Sequence, residues 1–244
     1  MFEAIIKNTK VWKNSIDAIA VLIDEGTLQI TEVGLKVRAM DPSQIAMIDF
    51  EMPKSAFEKY EIDEPTNLGV DFSELNKITK RAKAEDKIEL SMDTRLKLIF
   101  RGKTTRTFNL PIIESSSTPP KKPDIVFAAV AKLGANTLKD TLSDAELMSN
   151  HAAIKMNGGF SIKAEGDVGS ANIEFSEDMI LSLEVKTESR AVFSIEMLNN
   201  LLKAADSTTV VNVHLKTDTP LMIQYEIGEG RVFYFLAPRI ESET

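Results

Sequence analysis

The sequence predicts an α+β fold: two similar domains built from antiparallel sheets, each carrying two helices. Three observations carry this. The chain is written twice, it breaks near its midpoint at a segment that cannot be regular, and each half alternates short strands with two amphipathic helices. The repeat is visible at three separated places. Gly34-Leu-Lys-Val-Arg-Ala39 corresponds to Gly159-Phe-Ser-Ile-Lys-Ala164, Lys13-Asn-Ser-Ile16 to Lys139-Asp-Thr-Leu142, and Ser73-Glu-Leu-Asn-Lys-Ile-Thr-Lys80 to Glu196-Met-Leu-Asn-Asn-Leu-Leu-Lys203. The offsets are 125, 126 and 123 residues. A near-constant offset of that length marks two duplicated domains rather than a solenoid. Between them lies Glu114-Ser-Ser-Ser-Thr-Pro-Pro-Lys-Lys-Pro123, whose prolines exclude a helix or a central strand. Residues 1–113 therefore form one domain, 114–123 a linker and 124–244 the second domain.

In the first half, Phe2–Lys7 reads as a strand. Thr9–Ile23 places Trp12, Ile16, Ile19 and Ile23 at spacings of four, three and four, a helical stripe. Gly26–Thr31, Leu35–Ala39 and Ile45–Glu51 are short strands, with a turn at Asp41-Pro42-Ser43. Leu68–Phe72 is a strand, and Ser73 is positioned to cap a helix that buries Leu75, Ile78 and Ala82. Ile88–Met92, Leu96–Phe100 and Thr104–Pro111 complete the half as strands. The second half repeats the plan, with Leu138, Leu142 and Ala145 on its first helix and Leu198, Leu201, Leu202 and Ala205 on its second.

Composition excludes several chemistries. There are 244 residues, no cysteine and two histidines, His151 and His214. Without Cys there is no disulfide frame, thiolate nucleophile or Cys-based zinc site. No apolar run approaches the ~20 residues that span a bilayer, and the N-terminus has no apolar signal core. The expectation is a soluble, intracellular protein with no membrane role. The sequence carries no recognisable enzymatic motif. Gly102-Lys-Thr-Thr lacks the earlier glycine of a phosphate loop and reads as a strand start. Gly158-Gly159 and Gly228-Glu-Gly230 read as hairpin turns. Asp63/Glu64 and Glu85/Asp86 read as solvated loop acids, and nothing marks His214 as a base. No catalytic residue, metal site or cofactor is predicted.

The net charge of -8 argues against a nucleic-acid partner until the charges are placed. Residues 1–113 hold 17 basic and 18 acidic side chains, and residues 114–244 hold 12 and 19. Opposite the apolar helix stripes stand Lys10, Lys13, Lys77, Lys80 and Arg81, with Lys83 just beyond; Lys139 and Lys203 recur in the second half. Repetition at equivalent positions points to a basic helical face suited to non-specific phosphate contact. No aromatic interleaves these residues, so stacking on single-stranded bases is not indicated. Two apolar features remain: Met40, Ile45 and Met47 around the Asp41 turn, and the C-terminal Phe233-Tyr-Phe-Leu-Ala-Pro-Arg-Ile240 ahead of an acidic tail. Such residues can form a groove for partner peptides.

The Met1-Phe-Glu-Ala4 start, Ala39-Met-Asp41, Leu75-Asn-Lys-Ile-Thr-Lys80 and Leu236-Ala-Pro-Arg-Ile240 together resemble the proliferating cell nuclear antigen family of DNA sliding clamps, in its archaeal form. The resemblance covers essentially the whole chain. It implies the DNA clamp fold, with the helices on the inner face of a ring-shaped homotrimer that encircles duplex DNA. Twelve lining helices of ~10 Å diameter would enclose a clear opening of about 28 Å, enough for a duplex and water. It implies no enzymatic activity of its own, and partners that include DNA polymerase, a clamp loader, flap endonuclease and DNA ligase, bound through peptide motifs. Residues carried over for the partner groove are Met40, Gln44, Ile45, Met47, Pro220, Leu221, Ala237, Pro238 and Ile240. Those for the subunit joint are Thr105, Arg106, Thr107, Phe108 and Leu110 on one side, and Ala171, Ile173 and Phe175 on the other. Arg101, Lys103 and Arg106 would then face the more acidic half of a neighbour, and Arg81 could serve this joint instead of DNA. The linker departs from the family pattern, offering prolines and lysines rather than a large aliphatic residue. Cytoplasmic, nucleoid-associated work is implied for an archaeal source, nuclear work for a eukaryotic one. The alternative is a clamp subunit that works as a monomer or in a heterotrimer and binds DNA by its basic face. A hydrolase would need an acid/base cluster the sequence does not display.

Overall fold

The computed structural model describes residues 1–114 and 118–240. The serines at 115–117 of the predicted linker and the acidic tail at 241–244 lie outside the described residues. The chain divides into two compact units, Met1–Lys121 with Ile227–Val232, and Lys122–Glu226 with Phe233–Thr244. The division falls inside the Pro-rich segment. The hairpin tip Ile227–Val232 groups with the first unit, which the repeat did not indicate.

The first half runs β1 (Phe2–Ile6), α1 (Thr9–Ala20), β2 (Glu25–Thr31), β3 (Gly34–Met40), β4 (Ala46–Pro53), β5 (Phe57–Ile62), β6 (Thr66–Asp71), α2 (Phe72–Lys80), β7 (Lys87–Met92), β8 (Arg95–Arg101) and β9 (Thr105–Pro111). The second runs β10 (Ala129–Gly134), α3 (Ala135–Glu146), β11 (His151–Met156), β12 (Phe160–Gly166), β13 (Gly169–Glu174), β14 (Ile180–Val185), β15 (Ser189–Ser194), α4 (Ile195–Leu202), β16 (Val210–Leu215), β17 (Leu221–Ile227) and β18 (Gly230–Leu236). The order of strands and helices is the same in both. So is the pairing: β5-β1-β7-β8-β9 is matched by β14-β10-β16-β17-β18, and β6-β2-β3-β4 by β15-β11-β12-β13. From β1 to β17, neighbouring strands pair antiparallel. Even the return after the ninth strand is duplicated, with Ile113 bridging Gly69 in β6 and Arg239 bridging Val192 in β15.

Local chemistry explains the helices. Trp12, Ile16 and Ile19 are buried as the stripe predicts. The α1 cap is Asn8, which accepts from the Val11 amide. The cap of α2 is Asp71, accepting from the Glu74 amide, not Ser73 as predicted. Phe72 therefore belongs to the helix and is buried there. Ser194 caps α4 through the Met197 amide. Leu138, Leu142 and Ala145 of α3 and Leu198, Leu201 and Leu202 of α4 are buried. Strand β5 was not anticipated, because Phe57-Glu-Lys-Tyr-Glu-Ile62 is too charged to read as a strand. Its lysine, Lys59, is satisfied by pairing across the sheet with Glu3 of β1 at 2.7 Å and along its own strand with Glu61 at 2.9 Å. Gly102-Lys-Thr104 forms the β8–β9 turn rather than a strand start. Among the described residues no helix is long and apolar enough to cross a membrane.

Candidate functional site

The helix pair of the first unit presents its polar faces together. Asp17 of α1 accepts from Asn76 at 3.0 Å and pairs with Lys80 at 2.9 Å, which locks α1 to α2. Lys10, Lys77, Lys80, Arg81 and Lys83 are all exposed. Lys77 pairs with Glu74 at 2.5 Å, and that contact raises its pKa.

Lys13 and Lys139 are placed differently from the other lysines. The Lys13 ammonium donates to the carbonyl of Ala82 at 3.0 Å and of Lys80 at 3.3 Å. The Lys139 ammonium donates to the carbonyl of Ala205 at 2.6 Å. Ala82 and Ala205 are themselves equivalent, 123 residues apart. For Lys13 and Lys139, one of the two recurrences that suggested DNA binding, the repeat is thus one structural bond made twice. Each lysine satisfies carbonyls left open just past the second helix of its unit, where positive charge is favoured. Burial lowers the Lys139 pKa, against weaker support from Asp206 and Asp140. Along α3, α4 and the residue that caps α4, only Lys203, the cap itself, remains as an exposed base, among exposed Asp140, Asp144, Glu146 and Glu196. The basic face belongs to the first unit.

The β3–β4 loop is built around Asp41, whose side chain is buried. It leaves Met40 36% and Ile45 42% exposed, while Met47 is buried in β4. Gln44 sits in the left-handed region at φ 60°. In the second unit Pro220, Ala237 and Pro238 are half-buried and Ile240 is 88% exposed. Leu221 is fully buried at the start of β17. Met47 and Leu221 are therefore core residues beneath the surface and offer no area to a ligand in this conformation. Arg239 is fixed by its amide on the Val192 carbonyl at 2.7 Å and by its guanidinium on Nδ1 of His151 at 3.2 Å.

Strands β9 and β13 each end a sheet. Thr105 and Thr107 are exposed on β9, and Phe108 is half-buried against Phe100. Ala171 and Ile173 are half-buried on β13. Leu110 and Phe175 are core residues; Phe175 lies edge-on to Phe160 at 4.7 Å, just after β13. Arg106 is also turned inward. Its guanidinium binds the Asp86 carboxylate, donates to the Arg81 carbonyl at 2.9 Å and lies 5.3 Å from the Phe100 ring. Its charge is engaged within the unit, so reversing it would disturb the fold before it tested any joint. Asp86, read from sequence as a solvated loop acid, is 5% exposed. It also accepts from the Lys83 amide at 2.7 Å, while its carbonyl accepts from the Thr9 hydroxyl at 2.7 Å. The one sequence sign of this knot is Gly102 across from it, where a Cβ would lie 2.2 Å from Asp86 Oδ1. Among the described residues no group of three acidic or histidine side chains is disposed to hold a metal.

Comparison with known proteins agrees with this layout. The N-terminal domain of proliferating cell nuclear antigen matches residues 1–109, and its C-terminal domain matches residues 121–240. A DNA polymerase sliding clamp of Pyrococcus furiosus is 33% identical over 98% of this chain and 99% of its own length. Another from Thermococcus gammatolerans is 34% identical over the same shares. Among solved structures, A. fulgidus PCNA bound to the C-terminal region of FEN-1 superposes with a TM-score of 0.92 at 31% identity, covering 100% of both chains. PCNA from Thermococcus kodakaraensis shares the fold at a TM-score of 0.94, covering 98% of this chain and 100% of its own. With both domains matched in order and full-length relatives that are sliding clamps, the chain belongs to the proliferating cell nuclear antigen family.

Proposed function

We propose that the chain works as a homotrimeric ring that encircles duplex DNA and tethers replication and repair enzymes, a flap endonuclease among them, by short peptide motifs. It does no chemistry of its own, and its place of work is the nucleoid. The observation that carries the ring is the state of the sheet edges. β6 and β15 are bridged by Ile113 and Arg239. β5 and β14 carry register shifts against their neighbours, irregularities that turn an edge away from further pairing. β9 and β13 have neither: each pairs in continuous register with its one neighbour over seven and six residues. Unlike edges on one chain favour head-to-tail joining, which closes when the rotation allows.

Within such a ring the exposed bases of the first unit would meet phosphate weakly and through screening ions, which permits sliding. The exposed Met40 and Ile45 would serve as apolar contacts for a partner peptide; the A. fulgidus relative is solved with the C-terminal region of FEN-1 bound to it. Light scattering tests the assembly: three times the 27.1 kDa chain mass is expected. Retention on circular DNA with loss from linear ends tests encirclement. A monomeric mass, or equal loss from circles and linear DNA, refutes the ring. A trimer that forms only with a different chain supports the heterotrimer instead.

A further inference from the structure

The β3–β4 loop has more internal structure than a connection needs. The Asp41 carboxylate, more than nine-tenths buried, accepts from four donors. Oδ1 takes the Ile45 amide at 2.8 Å and the Ala46 amide at 2.7 Å. Oδ2 takes the Ser43 amide at 3.1 Å and the Ser43 hydroxyl. The backbone closes the same ring: the Asp41 amide donates to the Ala46 carbonyl, and the Gln44 amide to the Asp41 carbonyl, both at 2.9 Å. This web holds Gln44 at φ 60°, a region non-glycine residues rarely occupy. It also keeps two large apolar side chains, Met40 and Ile45, in water on a fixed frame.

The duplication supplies an internal control. The equivalent connection in the second unit, β12 to β13, is a two-residue turn at Asp167-Val168, with Gly166 paired to Gly169. It has no room for such a web: a Cβ at Gly166 would lie 2.0 Å from the Met148 carbonyl oxygen. Two copies that agree in strand order, helix order and pairing differ here. A buried carboxylate saturated with donors is not needed to join these strands, since the copy joins them without one.

We propose that Asp41 is the positioning residue of the partner-peptide site: its carboxylate pre-builds the 41–46 loop so that Met40 and Ile45 are offered in binding geometry before a peptide arrives. This rests on the peptide-tethering reading above and deepens it. Ordering a loop on binding subtracts from affinity, and a loop ordered beforehand avoids that loss.

The test is titration calorimetry with a synthetic peptide copied from the C-terminal region of FEN-1, together with hydrogen exchange on each variant. The wild type is expected to bind one peptide per chain. D41A should bind about 30-fold more weakly, with a less favourable entropy, as loop ordering moves into the binding step. Exchange should quicken at the Ile45 and Ala46 amides and stay unchanged in the sheets. D41N keeps the Oδ1 acceptor and loses acceptance at the second position, so it should fall between wild type and D41A. S43A should resemble D41N. Wild-type affinity in D41A overturns the proposal. Should D41A unfold the first unit, D41N and S43A decide: a graded loss supports the proposal and wild-type affinity in both overturns it. A wild type that binds no peptide refutes the peptide site itself.

Discussion

Asp86→Ala should destabilise the first unit by about 3 kcal/mol. The carboxylate is 5% exposed and binds the Arg106 guanidinium and the Lys83 amide. Truncation leaves the guanidinium facing an emptied site, and Arg106 Nε is already buried without a partner. Removing one member of a buried ion pair costs roughly 3–5 kcal/mol. The Arg106 side chain is 26% exposed, so water can reach it in part and the lower end applies. The assay is built into the chain. Trp12 is the single tryptophan and lies buried on α1, so its fluorescence follows the first unit alone. With a urea slope of about 2 kcal/mol per M, the midpoint should fall by about 1.5 M. A second arm is D86A/R106A, whose loss should be smaller than the sum of the single losses, because the pair is coupled. A D86A midpoint within about 0.3 M of wild type, at unchanged slope, would refute the reasoning.

Other outcomes follow from the same geometry. K77A/K80A should weaken DNA retention and reduce the salt slope by about two. K139M should leave that slope unchanged while costing the second unit about 1 kcal/mol, read by circular dichroism during denaturation. Ile45→Asp or Pro238→Asp should abolish peptide binding without changing the assembled mass; surviving affinity would move the groove elsewhere. His151 has its pKa lowered, first by burial and then by Arg239. Its folded pKa therefore lies below the unfolded value near 6.5, so the unfolded chain takes the proton first as pH falls. Burial also lowers the His214 pKa, so stability of the second unit should decline below about pH 6.5 through both rings. His151→Gln should remove only its own share, with each ring titration followed by NMR.

The fold was legible wherever one side of an element is apolar. Trp12, Ile16 and Ile19 on α1, and Leu198, Leu201 and Leu202 on α4, lie where their spacing puts them, because burial enforces helical periodicity. The duplication was legible because the copies bury the same stripes. What escaped was polar chemistry whose partner lies far away in sequence. By spacing, Lys13 lies on the polar side of α1 and Lys80 on the polar side of α2, yet one reaches a carbonyl 69 residues on while the other stays in water and pairs with Asp17. Nothing local to Asp86 announces that Arg106, 20 residues away, will cover it. Asp41 read as a turn former, which it is, but four donors converging on one carboxylate is a three-dimensional fact. The strand β5 escaped because two of its charges find partners on strands distant in sequence, Glu58 with Lys87 and Lys59 with Glu3.

The unlike edges β9 and β13 carry a consequence for mixed populations. In the proposed ring, a protomer with one edge spoiled would still offer a sound second edge, so it would enter chains of subunits and then stop them from closing. In a threefold head-to-tail ring every joint must hold, so an equal mixture of sound and spoiled protomers leaves about one ring in eight intact. Interference should therefore be dominant, and steeper than the fraction of altered chains. A lesion confined to the Asp41 loop should behave otherwise: a mixed ring stays closed and loses only the docking position of the altered subunit.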